Sequence, residues 1–180
     1  MSFNSRLNTK AYYPGLNSLF FSYRLTVKKY EEMQFNDLAN LAREAVIKKD
    51  YKKANEYAVA SIINYGVPGF ILHHEVNMQS LSDNQKAGEL IEQEVSNSLT
   101  YLLLAEILFK KDPRVKTLMQ QNMKEEKISE SDYFKTKQNK LMKLYQLDEN
   151  IISECKHTAE ELANKAIPTS TPETGNYLKK

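Results

Sequence analysis

The stretch from Asn40 to Ala54 constrains the fold more than any other part of this chain. Leu38, Leu41, Ala42, Ala45 and Val46 recur at three- and four-residue steps, which places them on one face of a helix. Lys48, Lys49 and Asp50 interrupt that stripe with polar residues. Tyr51, Ala54, Ala58, Ile62 and Tyr65 then begin a second one. Two amphipathic helices joined by so short a turn form a packed helical hairpin. Ala54, Ala58 and Ser61 are small at helical spacing, so two helix axes can approach closely there.

The rest of the chain repeats the helical period, and no segment reads as a strand. Leu19, Phe20, Tyr23, Val27 and Tyr30 share a face, with a pause expected near Gln34–Asn36. Gly66 is placed to end the second hairpin helix, with Pro68 just beyond it. Val67, Phe70, Ile71, His74 and Met78 predict a short helix to about residue 80. Ser82 and Gln85 then have the spacing of a capping box, which predicts a long helix over 83–111. Its second half, Leu99 to Phe109, is apolar on nearly every side and is expected to be central. Asp112-Pro113 marks another helix start. Ser129 or Ser131 begins the next helix, and Asp148 caps the last, which runs to Ile167 before Pro168. The expectation is an all-α protein of about seven helices, with hairpins packed as a short solenoid or an irregular bundle. Residues 1–16 read as an irregular segment, 17–167 as one helical domain, and 168–180 as a flexible polar tail.

Composition narrows the function classes. Lysine and arginine exceed the acids by only two over 180 residues. That balance argues against broad nucleic-acid or anionic-membrane binding, which needs a clustered basic excess. The most apolar run, 99–109, is well short of the roughly 20 residues that span a bilayer. Cys155 is the single cysteine, so no intrachain disulfide forms and a cytoplasmic location is expected. Residues 1–30 contain no acid but carry Arg6, Lys10, Arg24, Lys28 and Lys29. Such a start is also what a mitochondrial targeting segment looks like.

Residues 36–66 resemble a tetratricopeptide-repeat (TPR) unit. The match rests on Leu38, Leu41, Ala42 and Ala45 in the first helix, on Ala54, Ala58 and Ser61 in the second, and on the Asp50-Tyr51 turn. Leu38 stands where the family has a large aromatic, Ala45 where it has a bulky residue, and Pro68 falls later than the family's proline. The segment 103–112 echoes 40–50, but not a whole number of repeats away. The hairpin also resembles, less fully, a microtubule-interacting-and-trafficking (MIT) three-helix domain. There Lys86-Ala87, Ile91, Val95 and Leu99 match the third helix, and the segment 68–80 fits poorly. The TPR resemblance implies a groove lined by Asn36, Ala39, Arg43 and Ile47 that receives a protein or peptide partner. The family's paired Lys and Asn for C-terminal carboxylates are not reproduced.

Few residues point to chemistry. His73-His74-Glu75 is the one suggestive cluster, but adjacent histidines point about 100° apart on a helix. A metal bundle needs several His and Glu pairs on facing helices, whereas the chain has three histidines, so no metal and no cofactor are assigned. Glu94 and Glu106 lie in apolar helix surroundings. Cys155 and His157, two apart, fall on different faces. No phosphate-binding, dinucleotide, zinc or serine-nucleophile motif is present. Lys135, Lys137, Lys140 and Lys143 lie in a stretch without acids from Tyr133 to Leu147, and form a strip suited to an anionic partner.

The function these features imply is a non-enzymatic protein–protein interaction module, acting as adaptor, chaperone or regulator. The Lys- and Asn-rich composition fits a bacterial secretion-associated protein or an effector translocated into a host cell. The alternative is an enzyme or metal-binding helical bundle with a site near His74. An interface role for the apolar 99–109 helix would make the protein a homo-oligomer.

Overall fold

The computed structural model describes residues 29–84, 91–111, 123–124, 127 and 129–165. Among them the chain is helical throughout, with six helices and no strand: α1 (Phe35–Ile47), α2 (Tyr51–Tyr65), α3 (Val67–Asn84), α4 (Ile91–Lys111), α5 (Glu130–Leu144) and α6 (Glu149–Lys165). The expectations for both chain ends, for a helix before Tyr30, for the Asp112-Pro113 start and for Lys86-Ala87 lie outside the described residues.

The α1–α2 turn lies where the polar break predicts it. Lys49 takes a left-handed conformation, φ 59°. The following amide, Asp50 N–H, donates to the Ala45 carbonyl at 2.9 Å, and Lys49 N–H donates to Val46 at 2.9 Å. That pair of bonds is a Schellman motif, which satisfies carbonyls the helix leaves open. Asp50 then accepts the Lys53 amide at 3.1 Å and starts α2. The apolar stripes close on each other, and Leu38, Ala42, Ala54 and Ala58 are all inaccessible to solvent.

A single residue joins α2 to α3. Gly66 has φ 70°, a conformation that side chains disfavour. Its amide donates to Ile62 O at 2.8 Å and its carbonyl accepts Phe70 N–H at 3.2 Å. Pro68 sits in the first turn of α3, where no amide donor is required. The bend drives the two helices together. A Cβ on Gly69 would lie 2.2 Å from the Ile62 nitrogen and 2.4 Å from the Ser61 carbonyl carbon. Every residue from Ala58 to His74 is buried. The preceding turn at 29–34 is tied to the same joint: Asn64 donates to the Tyr30 carbonyl at 3.3 Å and the Tyr65 hydroxyl to Met33 O at 2.7 Å.

One boundary differs from expectation. α3 does not stop near residue 80 but continues to Asn84, and Ser82 is an exposed residue inside it rather than a cap. Leu81, 1% exposed, holds the last turn in the core, and the Tyr51 hydroxyl donates to Asp83. These tertiary contacts outweigh the local capping preference of Ser82. Asp83 and Asn84 thus belong to α3, and the start of the long helix lies outside the described residues, which carry it from Ile91 to Lys111.

α4 packs against α3, α5 and α6. Val95, Leu99, Leu102, Leu104, Ala105 and Leu108 are among its buried residues, and Phe109 meets Phe134 of α5 at 5.3 Å between ring centres. α6 lies on α4 through Cys155, Ala159 and Ala163, with the Cys155 thiol donating to the Ser96 carbonyl at 3.4 Å. Asp148 caps α6 by accepting the Ile151 amide at 3.0 Å. No described helix is long and apolar enough to cross a membrane.

Candidate functional site

An open cleft of about 800 Å³ lies between the end of α1, the middle of α3 and one face of α5. α1 contributes Arg43, Val46 and Ile47, and the hairpin turn contributes Lys49. Leu72, His74, Glu75, Val76 and Met78 come from α3, and Thr136, Lys137 and Lys140 from α5. Leu72 and Val76 are each 2% exposed and form an apolar floor. Ile47, by contrast, is 80% exposed, the more exposed of the two large hydrophobics that face solvent among the described residues.

Two groups of residues picked from sequence for separate reasons meet here. Arg43 and Ile47, from the implied groove, stand across from Lys137 and Lys140, from the basic strip. The other members of each group lie elsewhere. Ala39 is buried in the core and Asn36 is in the first turn of α1; neither lines the cleft. Lys135 and Lys143 are exposed on α5 away from it.

Electrostatics divide the cleft. Arg43 pairs with Glu75 at 3.3 Å, linking α1 to α3, and both groups are about half exposed. Asp83 accepts the Tyr51 hydroxyl, which pushes the Tyr51 pKa up to about 12, first through that hydrogen bond and then through burial. Each cleft acid therefore has a partner. Lys49 and Lys140 are paired with no acid among the described residues, and Lys137 lies 4.3 Å above the Tyr133 ring.

His74 is the imidazole of the cleft. Its Nδ1 shares a hydrogen bond with Ser98 Oγ of α4 at 3.4 Å. Burial lowers its pKa to about 4, and the charges of Lys137, His73 and Lys140 push the same way. At neutral pH it is an uncharged polar group. His73 points elsewhere, edge-on to Tyr101 at 5.1 Å, and burial alone lowers its pKa to about 4. The pair does not converge on one point, as the 100° step between neighbours requires. Glu106 lies outside the cleft, where Gln138 donates to it at 3.3 Å and Lys110 sits 3.6 Å away. Glu94 is exposed, and His157 faces Glu161 at 3.4 Å on the outer side of α6. Among the described residues, no three His, Cys, Asp or Glu side chains are grouped to hold a metal ion.

In the sequence Lys49 marks only a turn and Met78 only a helix stripe, and nothing there points to the Tyr51–Asp83 contact. Lys49 had a signal, since a polar residue after a helix end is where a left-handed turn projects a side chain outward. The meeting of α1, α3 and α5 at one cleft had none, because their stripes carry no mark of which helices come together.

Comparison with protein-family models, with curated proteins and with solved structures yields no match.

Proposed function

We propose that this protein is a non-enzymatic interaction module that receives a segment of a partner protein in the α1–α3–α5 cleft, as an adaptor or regulator does. The observation that carries this reading is Ile47. It is a large apolar side chain, 80% exposed, at the lip of a cleft floored by Leu72 and Val76. Apolar anchors beside a concave, partly polar surface are what a bound helix or extended peptide uses. The TPR-like reading of 36–66 agrees with this use of α1, because two of its four groove positions border the cleft.

The test is site-specific photo-crosslinking in the cell of origin, with the photoreactive group at Ile47 or, as control, at exposed Glu154 on α6. A stoichiometric protein adduct is expected from Ile47 alone, and Arg43→Glu should abolish it while leaving the thermal midpoint within a degree or two. Equal adducts from both positions, or none from Ile47, would remove the reading. The alternative, an enzyme or metal site near His74, rests on that imidazole lining the cleft. It would be favoured if His74→Ala abolished the cellular phenotype and Arg43→Glu did not.

A further inference from the structure

We infer that the occupant of this cleft is an acidic amphipathic segment of a partner protein, whose apolar side chains cover Ile47 and Val76 while its carboxylates meet Lys49 and Lys140. The inference rests on the reading of the cleft as a protein-docking site and adds the chemistry of what docks. Charge complementarity carries it. Arg43, Lys49, Lys137 and Lys140 border the cleft against only Glu75 and Asp83. Both acids are engaged, Glu75 by Arg43 and Asp83 by the Tyr51 hydroxyl. The excess positive charge is local, because the whole chain exceeds neutrality by only two. It is also split between two walls, Lys49 on the α1–α2 turn and Lys140 on α5, with the apolar floor between them. An occupant therefore needs acids on its flanks and an apolar stripe at its centre, the pattern of an amphipathic helix laid in a groove. A small anion would engage one wall and leave Ile47 and the floor uncovered. A basic segment would face repulsion from both walls. His74, neutral beneath the α5 lysines, offers a polar contact without adding to the charge.

The experiment uses the full chain and three synthetic amphipathic peptides of about 15 residues. They share one leucine stripe and carry Glu, Gln or Lys at the remaining positions. Inorganic phosphate is the fourth probe. Binding is read by fluorescence anisotropy, and its place by shifts of the His74 ring resonances. The Glu peptide should bind at least about tenfold tighter than the Lys peptide, weaken with added salt and shift His74. Lys140→Glu should remove most of that advantage, whereas Lys143→Glu, off the cleft on the same helix, should not. If the Gln or Lys peptide binds as tightly and still shifts His74, the acidic occupant is wrong and the docking reading stands. If phosphate alone produces the same His74 shift and competes fully, the site takes small anions and the inference fails. If no peptide binds although Ile47 crosslinks to a protein, the amphipathic segment is wrong. Absence of both peptide binding and a crosslink takes down the docking reading as well.

Discussion

Two turns in this protein use the same chemistry and reach different ends. At the α1–α2 turn, Lys49 is left-handed at φ 59° and the next amide reaches back to Ala45 O. At the α5–α6 turn, Gln146 is left-handed at φ 49° and Leu147 N–H reaches back to Met142 O at 3.1 Å. Each Schellman motif is followed by an aspartate cap, Asp50 or Asp148. Yet α1 and α2 pack on each other, whereas α5 and α6 each take their main contacts from α4. One extra residue, Leu147, separates the left-handed Gln146 from its aspartate cap, whereas Lys49 adjoins Asp50 directly. The apolar stripes also differ in their targets. A turn motif thus ends one helix and starts another, but packing decides whether the two become a hairpin.

The largest effects should fall on the packed side. Ala58→Arg would bury an unpaired guanidinium at a site with no solvent exposure and should cost about 3–5 kcal/mol. Because α2 is held between α1 and α3, the loss should be global unfolding, read by chemical denaturation. Ala159→Arg makes the same local insult in α6, which among the described helices packs mainly on α4. It should release α6 alone. Cys155, 4% exposed in the native protein, would then react with a thiol reagent while α2 amides keep their hydrogen-exchange protection. Simultaneous loss of protection in α2 would show that the two sides fold as one unit.

Gly69→Ala should come next, at about 2–3 kcal/mol. The added methyl meets backbone atoms of Ser61 and Ile62, which cannot rotate away as a side chain could. The expected gain in helix propensity, about 1 kcal/mol, offsets only part of that. A neutral result in urea denaturation would mean that α2 and α3 separate at little cost.

A pH effect at least as large should sit on α3. His73 and His74 have folded pKa values lowered to about 4 from 6.5, chiefly by burial. The unfolded chain therefore binds more protons between those values. Stability should be full above pH 6.5, fall as pH drops toward 4, and level off below that. Each histidine contributes on the order of 3 kcal/mol to the fall. His73→Phe, which keeps the edge contact with Tyr101, should remove roughly half of it. An unchanged pH dependence would place the cause in other groups.

What was legible in the sequence follows the same division. The α1–α2 hairpin could be read because its signals are local: a 3.6-residue stripe, a polar break and an aspartate cap at Asp50. The Asp148 cap of α6 was legible for the same reason. The end of α3 was not, because Ser82 looks like a cap and only Leu81 and Asp83, through tertiary contacts, show that the helix continues. For the site, Arg43, Ile47, Lys137 and Lys140 could each be named from the pattern. Their meeting could not, since about 90 residues separate the two pairs and no local rule brings α1 to α5. Ala39 illustrates the converse. Its spacing from Arg43 and Ile47 suits one helix face, but proximity to α2 and α3 buries it.

The smallest effects should separate turn from cleft most cleanly. Lys49 and Gln146 both hold a left-handed conformation that L side chains disfavour. Replacing either by glycine relieves that strain but raises the freedom of the unfolded chain, so each should stabilise by no more than about 1 kcal/mol. The two substitutions should look alike in denaturation because the turns are built alike. They should differ in binding. Lys49→Gly also removes a cation from the cleft and should weaken the acidic amphipathic peptide several-fold, whereas Gln146→Gly should leave it unchanged. If Lys49→Gly destabilised the protein, the lysine side chain would have a structural contact that Gln146 lacks, and the likeness of the turns would be one of backbone alone. If both variants bound the peptide as the wild type does, Lys49 would belong to the turn and not to the docking surface.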